Sequence, residues 1–549
     1  MKKLYPVLFL FFFLVSGTLK SQISQGGTPV SFHSNSLKKD IDIRNIPAPD
    51  METIMMEDME NDGFGKAYRI GIIIPVNLNP QNSGTWETLS NGDLLWRLQI
   101  NMPGAEASNL LFDRFVLPPG AKLFVYTPDQ TFTIGAFTEF NNHESGLMAT
   151  QMIPGGSSVV ELYMPKNQEF SYELEITEVG YNYRSTGFKV QEKDLSCMVN
   201  VKCPEGNNWA DQIRGAAKAQ IRIGSYWFLC SGSLVTTTTN SCQPYFLLAD
   251  HCTYDNAYAT AANMNQWVFN FNYQASNCTG TTGPTTQSMT GCTMKAHDTY
   301  GQNSQGSDFY LVLMNNSVPT TYQVYYNGWS KSTTAATSGV GIHHPEGVIK
   351  KISTYSTSLQ NYTTHWRVVW AQTTTNRSVT AQGSSGSPIF DQNKLIVGTL
   401  TGGGSFCDAP ADPDYYGKFS YHWASNGTTN AKQLKPWLDP NNSNPTTKTG
   451  VNYNACSSSS VEEIVAPNLN LNVFPNPATD VVNVSFENYY FENGTVRIYD
   501  ILGNMVSQVV VSQYQNEIPL SVKHLSNGVY FIQCSNSEHS FSKSFMISK

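Results

Sequence analysis

The chain has 549 residues, too many for a single hydrophobic core, so about three domains are expected. Its 34 basic and 42 acidic residues give a net charge of −8, and only 14% of the residues are charged. This composition offers no basic surface for nucleic acid or anionic lipid. We therefore expect protein or peptide partners, no nucleic acid, and a monomer.

The N-terminus has the pattern of a secretory signal peptide. Lys2 and Lys3 precede the apolar run Val7–Val15, far shorter than the roughly 20 residues of a membrane-spanning helix. We assign residues 1–21 to this signal. Export permits disulfides.

The cysteines are unevenly distributed. All ten lie beyond residue 196, and eight fall between Cys197 and Cys407. This clustering indicates one oxidised domain, flanked by segments that are built differently.

Residues 22–190 contain no cysteine but several strand-like runs separated by turns, including Tyr68–Val76, Leu94–Ile100 and Lys122–Thr127. A β-rich segment between a signal peptide and an oxidised domain is typical of a pro-region that blocks a cleft or assists folding. The alternative is an accessory β domain kept in the mature protein.

Residues 191–455 are rich in Thr, Ser, Gly and aromatics, with short apolar runs and a helical periodicity over Ala431–Leu438. This pattern predicts a mainly β domain with a C-terminal helix. A polar linker, 456–466, follows. In residues 467–549, Val482, Val484 and Phe486 alternate with polar residues, which predicts a small β-sandwich.

The segment Gly383–Pro388, with the sequence GSSGSP, has the composition of a serine-protease nucleophile loop. Ser385 is the candidate nucleophile, and the N–H groups of Gly383 and Ser385 are the candidate oxyanion donors. A Gly/Ser-rich turn alone is weak evidence, so the prediction depends on partner residues.

Two partners are available upstream. His251 follows an apolar strand and is the candidate base, and Asp308 begins another apolar strand and would orient the imidazole. Asp250 is an alternative acid, but in an extended segment it would point away from its neighbour His251. The order His, Asp, Ser is that of the chymotrypsin-type double β-barrel.

No metal or other cofactor is predicted. The pair His343-His344 is interpreted as loop structure, because no further ligand spacing accompanies it.

The segment after the nucleophile is expected to form the substrate cleft. Thr401, Gly402 and Gly403 would offer backbone groups to an extended substrate. Asp408, Asp412 and Asp414 are each available as a pocket carboxylate, which would select a basic side chain.

The chain from Cys197 to about Pro440 resembles the bacterial lysyl endopeptidases of the chymotrypsin fold. The shared motifs are Cys203–Gly206, Cys230–Leu234, Asn272–Gln274, Ser307–Phe309, Ile342–Pro345, Gly383–Pro388, Asp414–Gly417 and Trp437–Pro440. The resemblance implies that Asp414 determines specificity and that the enzyme cleaves after lysine, with arginine as a second choice. It also implies three disulfides, Cys197–Cys407, Cys203–Cys278 and Cys230–Cys252.

Two further cysteines, Cys242 and Cys292, have no partner in that family, and we predict a fourth bridge between them; Cys456 and Cys534 stay unassigned. The chain departs from the family at Thr401, where the family has a histidine stacked on a tryptophan.

The C-terminal segment resembles the type A sorting domain of the type IX secretion system. The matching motifs are Val473–Pro477, Val496–Gly503, Leu525–Ile532 and Lys543–Lys549. The resemblance implies passage through the periplasm and the outer membrane, with the outer-membrane secretion machinery as a partner, and a secreted or surface-attached product.

Activation is expected to differ from that of trypsin. Trypsin has an aspartate before its nucleophile that pairs with the freed N-terminus, but this chain has Ser384 there. Removal of the pro-region would then simply unblock the site. Lys189 and Lys193 are the hypothesised self-cleavage points.

Two other functions are compatible with the sequence. A glutamyl endopeptidase would share the fold, but Asp414 would repel a P1 glutamate. A surface adhesin with an inactive protease fold would have no need of Ser385, His251 and Asp308 together.

Overall fold

A computed structural model of the protein describes residues 24–34, 36–63, 65–166, 172–188, 195–298, 306–456, 471–486, 494–500, 504–511, 517–535 and 540–549. The predicted signal peptide and both hypothesised cleavage points lie outside these residues. Within them, no helix is both long and apolar enough to cross a membrane. The chain divides into two compact units, residues 1–457 and 458–549.

The N-terminal region is built from strands around an apolar core that includes Trp96, Phe112 and Leu162. Its helix is Met51–Asn61, and its 3-10 turns are Val30–Phe32 and Glu139–Asn141. Its strands are Asp42–Asn45, Tyr68–Leu78, Thr85–Thr88, Leu94–Asn101, Ala107–Val116, Lys122–Tyr126, Thr133–Phe137, Met148–Ala149, Ile153–Pro154, Ser157–Met164 and Glu173–Asn182. The three predicted strand runs are therefore confirmed.

The protease region contains two further sets of strands, each with its own buried core. The first set is Ala216–Ile223, Tyr226–Leu234, Tyr245–Leu248, Val268–Phe271, Ser288–Thr290, Cys292–Asp298 and Phe309–Met314. The second set is Val199–Asn200, Trp329–Ser330, Gly339–His343, Lys351–Tyr355, Gln360–Tyr362, His365–Val368, Pro388–Asp391, Ile396–Gly403, Asp414–Lys418 and Thr447–Lys448. Short pairs at Tyr254–Asp255 with Ala257–Tyr258, and at Tyr325–Tyr326 with Val451–Asn452, complete the region.

The helices and 3-10 turns of the protease region are short. They are Pro204–Gly206, Ala210–Gly215, Asp250–Thr253, Ala261–Met264, Thr320–Tyr322, Pro345–Gly347, Phe419–Ala424, Asn430–Lys432 and Lys435–Leu438. The chain is thus mainly β, and its protease region has the predicted chymotrypsin-like arrangement.

The C-terminal helix predicted over Ala431–Leu438 is confirmed only in its second half. A 3-10 turn, Asn430–Lys432, and a separate helical turn, Lys435–Leu438, occupy this stretch. Pro436 lies in the first turn of the second element, where its missing N–H is tolerated; inside a continuous helix it would clash with the preceding turn.

One sheet runs through both the N-terminal and the protease regions. The strand Tyr68–Leu78 pairs antiparallel with Tyr226–Leu234 of the protease region, with Tyr68 opposite Leu229. Trp227, fully buried, belongs to an apolar cluster shared by the two regions. The N-terminal region therefore extends the protease sheet instead of resting on its surface.

The second unit is the predicted small β structure. Its strands are Leu471–Phe474, Val481–Phe486, Gly494–Tyr499, Met505–Val511, Glu517–Ser521, Gly528–Ser535 and Ser540–Ile547. They form one sheet of three strands and one of four. Val482 and Val484 are fully buried, as their alternation predicts.

Four disulfides are present, including the three that the resemblance implied. The fourth prediction is wrong: Cys242 is bonded to Cys456, and their Cα atoms are 5.5 Å apart. Cys292 is a buried free thiol in the first core of the protease region, where it contacts the carbonyl oxygen of Met264. Cys534 is the other free thiol, buried in the core of the second unit.

Candidate active site

Strand pairing places the candidate base next to the candidate acid. The strands Tyr245–Leu248 and Phe309–Met314 are antiparallel, with Leu248 opposite Tyr310. Because His251 follows the first strand and Asp308 precedes the second, the two residues meet at the same end of the pair. The disulfide Cys230–Cys252 fixes the chain beside His251 to the neighbouring strand.

Asp308 binds both the ring and the backbone of His251. Its Oδ2 lies 2.8 Å from His251 Nδ1, and its Oδ1 accepts a hydrogen bond from the His251 N–H at 3.0 Å. Asp308 has a left-handed backbone (φ 59°), which aspartate tolerates better than most residues. Burial alone would raise the pKa of this carboxyl, but the charge and hydrogen bonds of His251, with a bond from Thr401, hold it below its usual value.

The alternative acid is engaged elsewhere. Asp250 lies in a 3-10 turn, Asp250–Thr253, and not in the extended segment that the sequence predicted. Its carboxylate is bonded to His297 Nδ1 at 2.8 Å and to the Tyr258 hydroxyl at 3.0 Å. It is therefore not positioned to orient His251.

The loop of Ser385 is packed against the chain that leads to His251. The carbonyl oxygen of Ser385 accepts a hydrogen bond from the Ser231 N–H at 2.8 Å. Gly386 has φ 78°, and a Cβ there would lie 2.7 Å from the Ala249 nitrogen, so a side chain could not fit. Ser385 itself is partly exposed, and His251 Nε2 is buried without a hydrogen-bond partner among the described residues.

The same loop presents free backbone donors. Gly383 has φ 82°, and its carbonyl accepts from the Ser231 hydroxyl at 2.9 Å. Within the described part of the chain, neither the Gly383 N–H nor the Ser385 N–H donates a hydrogen bond. These are the two donors that the sequence analysis assigned to an oxyanion hole.

A cavity of about 340 Å³ opens beside Ser385. It is lined by Thr380–Gln382, Ser385, Leu400–Gly403, Ser405 and Phe406, and by Asp62, Gly63 and Gly65 of the N-terminal region. Thr401, Gly402 and Gly403 thus lie where the sequence analysis expected a substrate cleft. The N-terminal residues were not foreseen, because the contact joins segments more than 300 positions apart.

Asp414 lies fully buried behind this cavity. Its Oδ2 accepts from Trp370 Nε1 at 2.6 Å, from the Thr380 hydroxyl at 2.8 Å and from the Ser405 hydroxyl at 2.6 Å. Burial raises the pKa of Asp414 above its usual value, although these hydrogen bonds act in the opposite direction. Of the other two candidates, Asp408 and Asp412, neither lines the cavity.

Thr401 has a histidine partner from another strand. Its hydroxyl lies 3.0 Å from His365 Nε2, and it also hydrogen bonds to Asp308. Burial lowers the pKa of His365 to about 4, which keeps the ring neutral at physiological pH. No pattern along the chain indicates this contact, since His365 lies 36 residues away and the strand Asp414–Lys418 lies between the two strands in the sheet.

Of the two adjacent histidines predicted to be loop structure, His344 lies between a strand and a 3-10 turn, as expected, but His343 does not lie in a loop. His343 ends the strand Gly339–His343, and both rings are fully buried. No cluster of metal-ligating side chains occurs among the described residues. The sequence analysis also missed Trp370, Thr380 and Ser405, because hydrogen bonds to Asp414 leave no pattern along the chain.

Two family models and a curated relative match parts of this chain. Residues 192–417 match the family described as "Lysyl endopeptidase, C-terminal domain", and residues 472–548 match "Secretion system C-terminal sorting domain". A lysyl endopeptidase of Pseudomonas aeruginosa is 29% identical over 294 residues, which cover 49% of this chain and 60% of that relative. The chain therefore spans about three fifths of the relative's length.

Solved structures of proteases are also similar. A thermostable serine protease from an extremophilic microorganism is 14% identical and has a TM-score of 0.29. The alignment covers 38% of this chain and 92% of the protease chain. A protease from Arthrobacter nicotinovorans is 17% identical, with coverages of 37% and 90% and a TM-score of 0.28. The fold assignment rests on the strand pairing described above.

The paired sheets, with a histidine and an aspartate from one and a serine loop from the other, define the class of chymotrypsin-like serine endopeptidases. Within that class the protease region matches the lysyl endopeptidase family model over residues 192–417, and a match to a secretion sorting domain follows it. The sorting domain indicates type IX export to the cell surface or the medium.

Proposed function

We propose that the protein hydrolyses peptide bonds after lysine, and secondarily after arginine, with Ser385, His251 and Asp308 as a catalytic triad. The observation that carries this proposal is the double contact of Asp308 with His251, at 2.8 and 3.0 Å. It fixes the ring with Nδ1–H toward the carboxylate, which leaves Nε2 as the free base.

The chemistry follows from these positions. Ser385 Oγ attacks the scissile carbonyl carbon while His251 Nε2 takes its proton, and the Gly383 and Ser385 N–H groups bind the developing oxyanion. His251 then gives the proton to the leaving amine as the peptide bond breaks. Water, deprotonated by His251, hydrolyses the acyl-enzyme and restores Ser385.

Lysine preference is assigned to Asp414. Its hydrogen-bond donors are neutral, and among the described residues it has no ion-pair partner. A buried carboxylate without a cation is costly, and a substrate ammonium entering beside Thr380 and Ser405 would relieve that cost.

The N-terminal region is proposed to act as a pro-region. Asp62, Gly63 and Gly65 line the cavity of Ser385, so a substrate cannot use the whole cleft while this segment is in place. We retain the domain boundaries predicted above, and cleavage at Lys189 or Lys193 as the first processing step. Normal processing of a Ser385→Ala variant, checked by N-terminal sequencing, would exclude self-cleavage.

The sorting domain is proposed to bring the chain to the outer-membrane secretion machinery, its second partner beside protein substrates. Deleting residues 467–549 would then retain the protein inside the producing cells, as fractionation would show.

Digestion of a denatured protein mixture tests the activity directly. Mass spectrometry of the products should show lysine at P1 in most cuts, and the Ser385→Ala variant should give none. A product set dominated by glutamate at P1 would contradict the role of Asp414. A processed protein that neither cuts nor reacts with a fluorophosphonate would contradict the triad.

A further inference from the structure

A buried histidine lies directly behind the loop that carries Ser385. His343 Nδ1 lies 2.8 Å from the hydroxyl oxygen of Ser384, the residue before the candidate nucleophile. Its Nε2 lies 2.9 Å from the hydroxyl oxygen of Ser353, on the strand Lys351–Tyr355. One imidazole ring thus connects the second sheet of the protease region to the nucleophile loop.

The surrounding groups determine which ring nitrogen carries the proton. The single proton of the Ser353 hydroxyl is directed to the carbonyl oxygen of Val379 at 2.9 Å, with the Ser378 hydroxyl oxygen at 3.1 Å as the other acceptor. Neither bond leaves a proton for His343, so the Ser353 oxygen accepts from His343 Nε2–H. Nδ1 is then an acceptor for the Ser384 hydroxyl, whose oxygen in turn accepts from Ala381 N at 3.2 Å. This arrangement is complete only with a neutral ring; a proton on Nδ1 would face the O–H of Ser384.

Burial supports the same assignment. The His343 ring is fully buried, and burial, with a smaller contribution from the charge of Lys351, lowers its pKa to about 3. No carboxylate is hydrogen bonded to it among the described residues. The ring therefore stays neutral at physiological pH.

The connection acts on the turn that forms the oxyanion donors. Ser384 N donates to the Ala381 carbonyl at 3.0 Å, and Ser384 Oγ receives the Ala381 N–H, so both bonds close the turn just before Ser385. The Ser231 hydroxyl holds the Gly383 carbonyl from the other side. These bonds use other groups of the turn, so the Gly383 and Ser385 N–H groups remain without an acceptor among the described residues.

We propose that His343 is a positioning residue that holds the oxyanion loop in its active shape through Ser384. The inference rests on the proposed function, because it takes Ser385 as the nucleophile. His343 and Ser384 belong to one chain and need no new N-terminus, so the loop takes its shape by folding alone.

Two substitutions at His343 form a matched pair for the test. The amide of Asn reaches the place of Nδ1 and can still accept from Ser384, whereas the amide of Gln reaches the place of Nε2 and serves only Ser353. We expect His343→Gln and Ser384→Ala to lower kcat about 10- to 100-fold. This loss is smaller than the roughly 100- to 1,000-fold loss caused by removing one oxyanion-hole donor. His343→Asn should keep kcat within about threefold, and KM should change less than twofold in all three.

The measurements use the secreted, processed protein and a lysyl anilide substrate, with kcat normalised to the sites titrated by a fluorophosphonate at completion. A peptide aldehyde forms an adduct whose oxygen lies in the oxyanion hole. Its affinity for each variant should fall by about the same factor as kcat. n-Butylamine, which imitates only the lysine side chain, should inhibit all variants equally.

Several results would overturn the inference. One is a wild-type kcat for both His343→Gln and Ser384→Ala, and another is a raised KM at unchanged kcat. If wild-type protein does not react with the fluorophosphonate, the proposed function fails instead. An inactive protein still allows a test by 15N NMR of the His343 ring, whose signals are assigned by their loss in His343→Asn. A neutral ring with the proton on Nε2 at pH 5 supports the inference. A charged ring, or a neutral ring with the proton on Nδ1, refutes it.

Discussion

The indole nitrogen of Trp370 lies 2.6 Å from Oδ2 of Asp414. With the hydroxyls of Thr380 and Ser405 on the same oxygen, this contact fixes the carboxylate before any substrate arrives. In the proposed function, a side chain that enters the pocket would meet an oriented carboxylate and two hydroxyl oxygens. A compact ammonium suits this arrangement, because it can bind several oxygens without needing the open edge of the carboxylate that a guanidinium prefers.

Replacing Asp414 by Asn should lower kcat/KM for lysyl substrates about 100- to 1,000-fold, since the substrate ammonium would be buried without a counter-charge. The amide has the shape of the carboxylate, so the pocket should otherwise be kept. Kinetics on a lysyl anilide measure the loss, and unchanged fluorophosphonate titration shows that the triad is intact. Retention of more than a tenth of the activity would assign specificity to another residue.

Thr401 supplies one of the bonds that keep Asp308 ionised. Thr401→Val removes the hydroxyl at nearly constant volume, so the pKa of Asp308 should rise and kcat/KM for a lysyl anilide should fall. We expect a loss of about tenfold at the optimum. Thr399→Val is the matched control, because its hydroxyl bonds the Asp308 carbonyl and not the carboxylate.

The sequence predicted the residues that follow or precede strong strands. His251 and Asp308 were found because apolar runs flank them and because their order is specific to one fold. His343, Trp370 and His365 were not assigned, since their roles depend on which strands pair and on which face each side chain lies. The partner of Cys242 was also beyond reach, because cysteine spacing does not determine connectivity.

Acid should destabilise the protein through its buried histidines. Burial lowers the pKa of His343 and His422 to about 3, that of His365 to about 4, and that of His344 well below its usual value. An unfolded histidine binds a proton near pH 6.5, so the unfolded state binds more protons between the two values and stability falls as pH falls below 6.5.

The four groups together should remove about 5 kcal/mol of unfolding free energy per pH unit between roughly pH 6 and 4. Urea unfolding at a series of pH values measures this slope. His343→Asn should reduce it by about a quarter, because one of the four protons is no longer taken up. A stability that does not change over this range would show that the rings are charged in the folded state.

The thiol count distinguishes the observed disulfides from the predicted ones. Alkylation of the denatured, unreduced protein should label Cys292 and Cys534 only. Peptide mapping identifies the labelled residues. Label on Cys456, with Cys292 protected, would restore the Cys242–Cys292 bridge and contradict the structure.

The N-terminal segment that lines the cavity is held by an ion pair. Arg184 binds both carboxylate oxygens of Asp62, at 2.6 and 3.0 Å. In a chain with Lys189 and Lys193 changed to Ala, so that processing is prevented, Asp62→Ala should loosen this segment. We expect fluorophosphonate labelling to become severalfold faster, since a partly buried pair of this kind contributes on the order of 1–3 kcal/mol.

The matched control is Arg114→Ala, which breaks the exposed pair of Arg114 with Glu175 in the same region, away from the cavity. Its labelling rate should equal that of the parent chain. Equal rates for Asp62→Ala and the parent would show that residues 62–65 do not limit access to Ser385.

The bond between Cys242 and Cys456 joins the last described residue of the protease unit to a half-buried residue 214 positions earlier, between the strands Tyr226–Leu234 and Tyr245–Leu248. Any tension applied at the C-terminal side during export therefore enters the protease through a covalent anchor. The tail between the final helical turn, Lys435–Leu438, and Cys456 is shielded from that force. The segment that precedes Cys456 is thus protected by this bond against unfolding from its C-terminal end.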